Sequence, residues 1–231
     1  MIMEQAHENK MTRDETLKVA LMVGKILLKS GAETYRVEDT INRFCIANGY
    51  EVDIFVTPTV IILGNEQVDS FNCVSRIRYR TTNLGMISEM NDMSYKFERW
   101  PMSYRGTMAW LEEKLKAQVP YGKWKVCLAS AIASASFSAM LGGNSHDFIA
   151  AFITGGIAML VLKQIAGYRP SAFWENALAG VAIGVVALIC CAVSVQCTME
   201  KIIVGALMPF VPGVAFTNGL RDYMAGDLLS G

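Results

Sequence analysis

The segment LMPFVPGVAFTNGLRDYMAGD, near the end of this 231-residue chain, concentrates the residue types that can do chemistry. Pro209, Pro212 and Gly213 interrupt an apolar run, and Thr217, Asn218, Arg221, Asp222 and Asp227 follow. Proline removes a backbone donor and breaks a helix. Inside a bilayer the freed backbone groups need partners, so broken helices occur where they line a cavity or pack against protein. On a helix, Asn218 stands three residues from Arg221 and four from Asp222, which puts all three on one face. Such a break beside polar and ionised groups marks a candidate substrate site. The competing reading is a helix that leaves the membrane at Thr217, with Arg221 and Asp222 at the interface. An arginine fork can hold a carboxylate through two parallel hydrogen bonds. Asp222 can act as its counter-ion, receive an ammonium group or carry a proton.

Other chemistry is sparse. The two histidines, His7 and His146, are far apart, so neither a Ser-His-Asp set nor a histidine metal site is expected. Six cysteines (45, 73, 127, 190, 191 and 197) form no CxxC and read as reduced, mostly buried thiols. No metal or organic cofactor is indicated. Lysine plus arginine equal aspartate plus glutamate at 21 each, which gives no reason to expect a nucleic-acid partner. Arg76, Arg78 and Arg80 alternate along one expected strand. They form either an anion-binding stripe or a solvated face paired with acids of a neighbouring helix.

The elements that must position these residues divide into two halves. Residues 1–122 hold 15 basic and 16 acidic residues, whereas residues 123–231 hold six and five. Four apolar stretches fill the second part: Trp124–Leu141, Phe148–Ala166, Ala177–Val195 and Ile202–Phe216. A span needs about 20 apolar residues, which the first three approach and the proline-cut fourth does not. The expectation is a transmembrane helical domain over 121–231 of about four helices, the last one broken. Lys114, Lys116, Lys123 and Lys125 flank the first span, the loop 142–147 has no basic residue, and Lys163 and Arg169 mark the next loop. This alternation predicts a cytoplasmic N-terminal domain, with loops 142–147 and 196–201 outside. The polar N-terminus lacks an apolar core, so no cleavable signal peptide is expected. Ser130, Ser134 and Ser138, the pair Gly155-Gly156, and the GxxxG at Gly180 and Gly184 are expected at close helix contacts, which lipid favours. The serine stripe has a second reading as a polar path.

In the first half, Leu17, Ala20, Leu21, Gly24, Leu27 and Leu28 predict a helix over about 13–30 ended by Gly31. Val37, Ile41, Phe44 and Cys45 predict a second, ending near Asn48-Gly49. Val52, Ile54 and Val56 alternate as a strand broken by Pro58, a strand over Thr59–Leu63 turns at Gly64-Asn65, and Phe71, Cys73, Ile77 and Tyr79 share one face of a third. Helices over about 84–100 and 103–117 complete an α+β domain, ααβββαα, over 1–120.

Two motifs carry a resemblance. The stretch SGAETYRVEDT (30–40) and the stretch PFVPGVAFTNGLRD (209–222), with Gly226-Asp227 and Ser230-Gly231, resemble the threonine/serine exporter family, specifically the larger subunit of its split two-component form. The resemblance implies a bacterial inner-membrane, multi-pass exporter of small hydrophilic acids, threonine and serine, with succinate-like dicarboxylates in some split members. It further implies a smaller membrane subunit and an oligomer. Proton coupling is expected. The family usually carries a further apolar helix beyond the position of Gly231. By resemblance, Glu33 and Arg36 belong to the first motif, and Thr217, Asn218, Arg221 and Asp222 to the second. Glu33, Arg36 and Asp227 are expected as gating or domain contacts, although Glu33 and Arg36 also fit an ordinary helix-surface pair. Two other functions compete: a membrane-anchored hydrolase with a catalytic soluble half, and a structural assembly subunit. Thr34, Cys73 and Ser75 lack a nearby histidine, which leaves the hydrolase without a placeable nucleophile–base pair.

Overall fold

The computed structural model describes residues 11–64, 73–100, 102–116, 121–165, 172–224 and 226. The chain packs as two compact units, one formed by Met1–Val119 with Gly213–Gly231 and the other by Pro120–Pro212. The C-terminal segment, expected with the membrane helices, thus groups with the first unit.

In the first unit, α1 (Arg13–Lys29) opens with a capping box: Glu15 N donates to Thr12 Oγ1 (3.4 Å) and Thr12 N to Glu15 Oε2 (2.9 Å). It ends in a Schellman turn, with Gly31 N bonded to Leu28 O (3.1 Å) and Ala32 N to Leu27 O (3.0 Å). Gly31 adopts φ +85°, where a side chain is disfavoured. Helix α2 (Thr34–Ala47) follows, then β1 (Asp53–Thr57), β2 (Val60–Gly64) and β3 (Cys73–Arg76), an antiparallel meander with Val56 opposite Ile61 and Ile62 opposite Val74. Val56, Ile61 and Leu63 point into the core while Phe55 and Val74 face out, as strand alternation requires. Gly24 lets the sheet and α2 close on α1, since a Cβ there would lie 2.7 Å from Ile41 Cδ1 and 2.9 Å from Ile61 Cδ1. Helices α3 (Leu84–Arg99) and α4 (Tyr104–Lys116) complete the core through Met90, Phe97 and Leu111.

The expected third strand is shorter than the alternation suggested. It stops at Arg76, and Tyr79 is exposed rather than turned inward beside Ile77. The backbone leaves the ladder there to return to α1, where Thr81 N reaches Lys29 O (2.8 Å) and Asn83 N reaches Ser30 O (2.9 Å). Phe71, Asn65, Pro101 and Ala117 lie outside the described residues.

The second unit contains α5 (Lys123–Met140), α6 (Ser145–Ile165), α7 (Ala172–Val193), α8 (Met199–Leu207) and a 3-10 turn at Met208–Phe210. Among the described residues two helices are long and apolar enough to cross a membrane, Ser145–Ile165 and Phe173–Val193, and a third if Met199–Phe210 and Gly213–Met224 count together. Of the four expected stretches, two or three meet that measure of length and composition. Lys123, Lys125 and four serines dilute α5, and the fourth stretch is interrupted at Val211-Pro212.

Small residues hold this unit together. Ser130 Oγ donates to Gly155 O (3.2 Å), and a Cβ on Gly155 would overlap Ser134 Oγ. A Cβ on Gly205 would lie 2.8 Å from Ser134 O and 2.9 Å from Ser138 Cβ. The serine stripe is therefore a packing surface for α6 and α8. Gly180 and Gly184 behave differently: nothing lies within 4 Å of a Cβ built on either, so within the described chain this GxxxG is no helix contact. Asp147, fully buried, joins two turns by accepting from Asn144 N (3.0 Å) and Thr198 N (2.5 Å).

Candidate functional site

Helix α9 (Gly213–Met224) begins after the 3-10 turn at Met208–Phe210 and an extended Val211. Pro209 is the middle residue of that turn and Pro212 precedes the new helix, so the backbone breaks where proline withholds its donor. One turn into α9, Asn218 Nδ2 donates to Gly31 O (2.9 Å). A further turn on, Arg221 Nη1 donates to Glu33 Oε1 (2.6 Å). The spacing of three residues along α9 thus meets the spacing of two along the α1–α2 connection, and both motifs meet inside the first unit.

Glu33 is the N-cap residue of α2 but makes no side-chain cap bond; its carboxylate turns to Arg221 instead. Its other oxygen, Oε2, is buried and accepts no hydrogen bond among the described residues. The Glu33 side chain is 16% exposed and that of Arg221 58%, so the pair joins a sheltered acid to a solvated base.

Beside this contact lies a cavity of about 240 Å³ lined by Gly31, Arg80, Thr81, Thr82, Val214, Ala215, Asn218, Gly219 and Asp222. Asp222 is buried at 5% exposure. Arg80 is fixed by the chain ends of α1: its Nε donates to Leu28 O (3.2 Å) and its Nη2 to Ala32 O (3.1 Å). Those bonds use two of five guanidinium donors; the other three make no hydrogen bond among the described residues. Burial pulls the Arg80 guanidinium below its ordinary value, and the negative charge of Asp222 opposes that shift. Gly31 shapes the wall, because a Cβ there would sit 2.9 Å from Thr81 O. A cation, an acid and an amide in so small a space can hold a compact solute bearing both charges.

A family model of threonine/serine exporters matches residues 18–231. The chain belongs to the threonine/serine exporter family. It is thus related to membrane exporters of threonine and serine, in keeping with its apolar helices. No curated protein and no solved structure matches it.

In this exporter-family chain the structure sorts the sequence candidates. Asn218 and Asp222 line the cavity; Arg221 does not, and pairs with Glu33 at its side. Thr217 turns its hydroxyl back on its own helix, to Gly213 O (3.0 Å) and Val214 O (3.1 Å). Arg36 sits in the first turn of α2, where its carbonyl accepts from Thr40 Oγ1 (2.8 Å), and it lines no part of the cavity. Asp227 lies outside the described residues. The arginine of the cavity is Arg80, which sequence reading weighed only as part of a stripe. Its signal was present in the alternation, but its partners are 48 and 52 residues away in the chain.

Proposed function

We propose that the chain exports threonine and serine across the bacterial inner membrane and captures the amino acid in the cavity between Arg80, Asn218 and Asp222. The observation that carries this reading is the pairing of one guanidinium with one buried carboxylate in a cavity of about 240 Å³. That size falls below the roughly 300–1,000 Å³ of sites for larger ligands, which suits a small solute. The substrate carboxylate takes the free donors of Arg80, the ammonium faces Asp222, and Asn218 or the Gly31 carbonyl meets the hydroxyl. A dicarboxylate such as succinate fits less well, since its second charge would oppose an ionised Asp222. Asp222 also serves as the proton carrier of a coupled cycle, alternately binding a proton and the ammonium. The ion pair of Glu33 and Arg221 holds α9 at the mouth and acts as the gate.

The same contact supports a topology. Asn218 and Gly31 share a hydrogen bond, so the chain between them crosses the bilayer an even number of times. The basic residues at 114, 116, 123 and 125 favour the cytoplasm for that shared side. The family resemblance adds a smaller membrane subunit and an oligomeric assembly as parts of the proposal.

Proteoliposomes test it. Counterflow of radiolabelled threonine, with and without unlabelled serine or succinate as competitor, is expected to give uptake that serine suppresses more than succinate does. Asp222→Asn is expected to lose at least about tenfold in rate, the loss for one unpaired charge contact. Equal competition by succinate, or unaltered counterflow in Asp222→Asn, contradicts the assignment.

A further inference from the structure

Arg76 and Arg78 take no part in the site above. Strand β3 ends at Arg76, and the alternation continues one step: Ile77 is buried in the core with its N–H bonded to Thr59 O (2.7 Å). Arg76 and Arg78 therefore project together to the opposite, exposed side. On α1, Lys25 and Lys29 stand one turn apart and share a face. The four cations meet around one cavity of about 400 Å³, completed by Ile77, Tyr79 and Leu115.

Among the described residues no carboxylate lines this cavity. Lys29 Nζ reaches only the Leu115 carbonyl (3.4 Å), and Lys25, Arg76 and Arg78 join no ion pair among the described residues. Acids are plentiful in this half of the chain, 16 against 15 bases over 1–122, so the clustering is local rather than compositional. Four like charges around one small space repel one another, and an anion of multiple charge relieves that repulsion. A monocarboxylate neutralises one of them. A phosphate group presents several oxygens, which match two arginine forks bidentately and leave the lysines as point charges beyond. Tyr79, 70% exposed at the rim, adds a flat apolar surface with a polar tip for whatever carries the phosphate.

We infer that the cavity between α1 and the segment after β3 binds a phosphate-bearing anion, supplied either as a free phosphorylated solute or as the phosphate of an anionic lipid headgroup. The site lies apart from the Arg80–Asp222 cavity, and its lining shares no residue with it.

The test uses the full chain in an uncharged detergent and follows thermal unfolding, because a ligand of the folded state raises Tm in a concentration-dependent way. One arm adds inorganic pyrophosphate against sodium chloride of equal ionic strength. The other adds short-chain phosphatidylglycerol against short-chain phosphatidylcholine. A shift with pyrophosphate identifies a soluble source and a shift with phosphatidylglycerol alone a lipid source, and either supports the inference. The double variant Arg76→Gln/Arg78→Gln is expected to weaken the apparent Kd at least about tenfold, Arg78→Lys by less because charge remains, and Arg105→Gln, on the exposed face of α4, not at all. No shift in either arm beyond its control, or an equal shift in wild type and double variant, overturns the inference. Should the double variant fail to fold, Arg78→Lys alone decides, since equal affinity in that variant excludes the fork.

Discussion

In the first unit Phe44 and Phe97 meet with ring centroids 4.8 Å apart, within a core of leucine, isoleucine and methionine. In the second unit the contact surfaces are Ser130, Ser134 and Ser138 against Gly155 and Gly205. The difference is the one expected between a core formed in water and helices packed in lipid. Water drives large apolar side chains together, so volume stabilises the first unit. Lipid gives helices no such drive, so close backbone approach must hold the second. One unit is sensitive to removing atoms and the other to adding them.

That contrast can be broken from either side. Phe97→Ala empties the middle of the first core and is expected to cost about 3–5 kcal/mol, read from the denaturant midpoint of the first unfolding transition. Gly155→Ala drives a methyl into Ser134 and is expected to cost about 1–3 kcal/mol in the second unit. Gly180→Ala, which meets open space, is expected to stay within about 0.5 kcal/mol of wild type. Equal effects at Gly155 and Gly180 would refute the assignment of the packed face.

Gly31→Ala falls between the two kinds of site. The residue has positive φ and faces Thr81 O, so the variant is expected to lose about 1–2 kcal/mol and to narrow the cavity. A pH dependence is expected as well. Burial pushes the Cys45 thiol up to about 12 from 9.0. The folded state then keeps a proton that the unfolded state releases, so the contribution of Cys45 to stability falls as pH rises between those values. Thiol-specific labelling of Cys45 at pH 8 is expected only after unfolding; rapid labelling of the native chain would remove the buried assignment.

Much of this was legible in the residues. Apolar spacing located α1 and α2 because each buries one stripe, and alternation located β1 and β2 because each buries one face. Helix ends were legible at Gly31 and Gly49, where positive φ demands glycine. The break before α9 was legible because proline cannot donate. What α9 packs against was not, since no spacing rule relates residue 218 to residue 31. For the same reason Arg221 drew attention and Arg80 did not: the carbonyls of Leu28 and Ala32 that aim Arg80 become neighbours only on folding. The GxxxG of α7 meets no neighbour among the described residues, because small residues permit close approach without requiring it.

The proposed site depends on which arginine faces the solute. Equilibrium binding of radiolabelled threonine to the purified full chain, compared between Arg80→Gln and Arg221→Gln, tests it most directly. Binding is expected to be at least about tenfold weaker for Arg80→Gln, which removes a charged hydrogen-bond partner, and less than about threefold weaker for Arg221→Gln. The reverse order, with Arg221→Gln abolishing binding and Arg80→Gln leaving it intact, would contradict it.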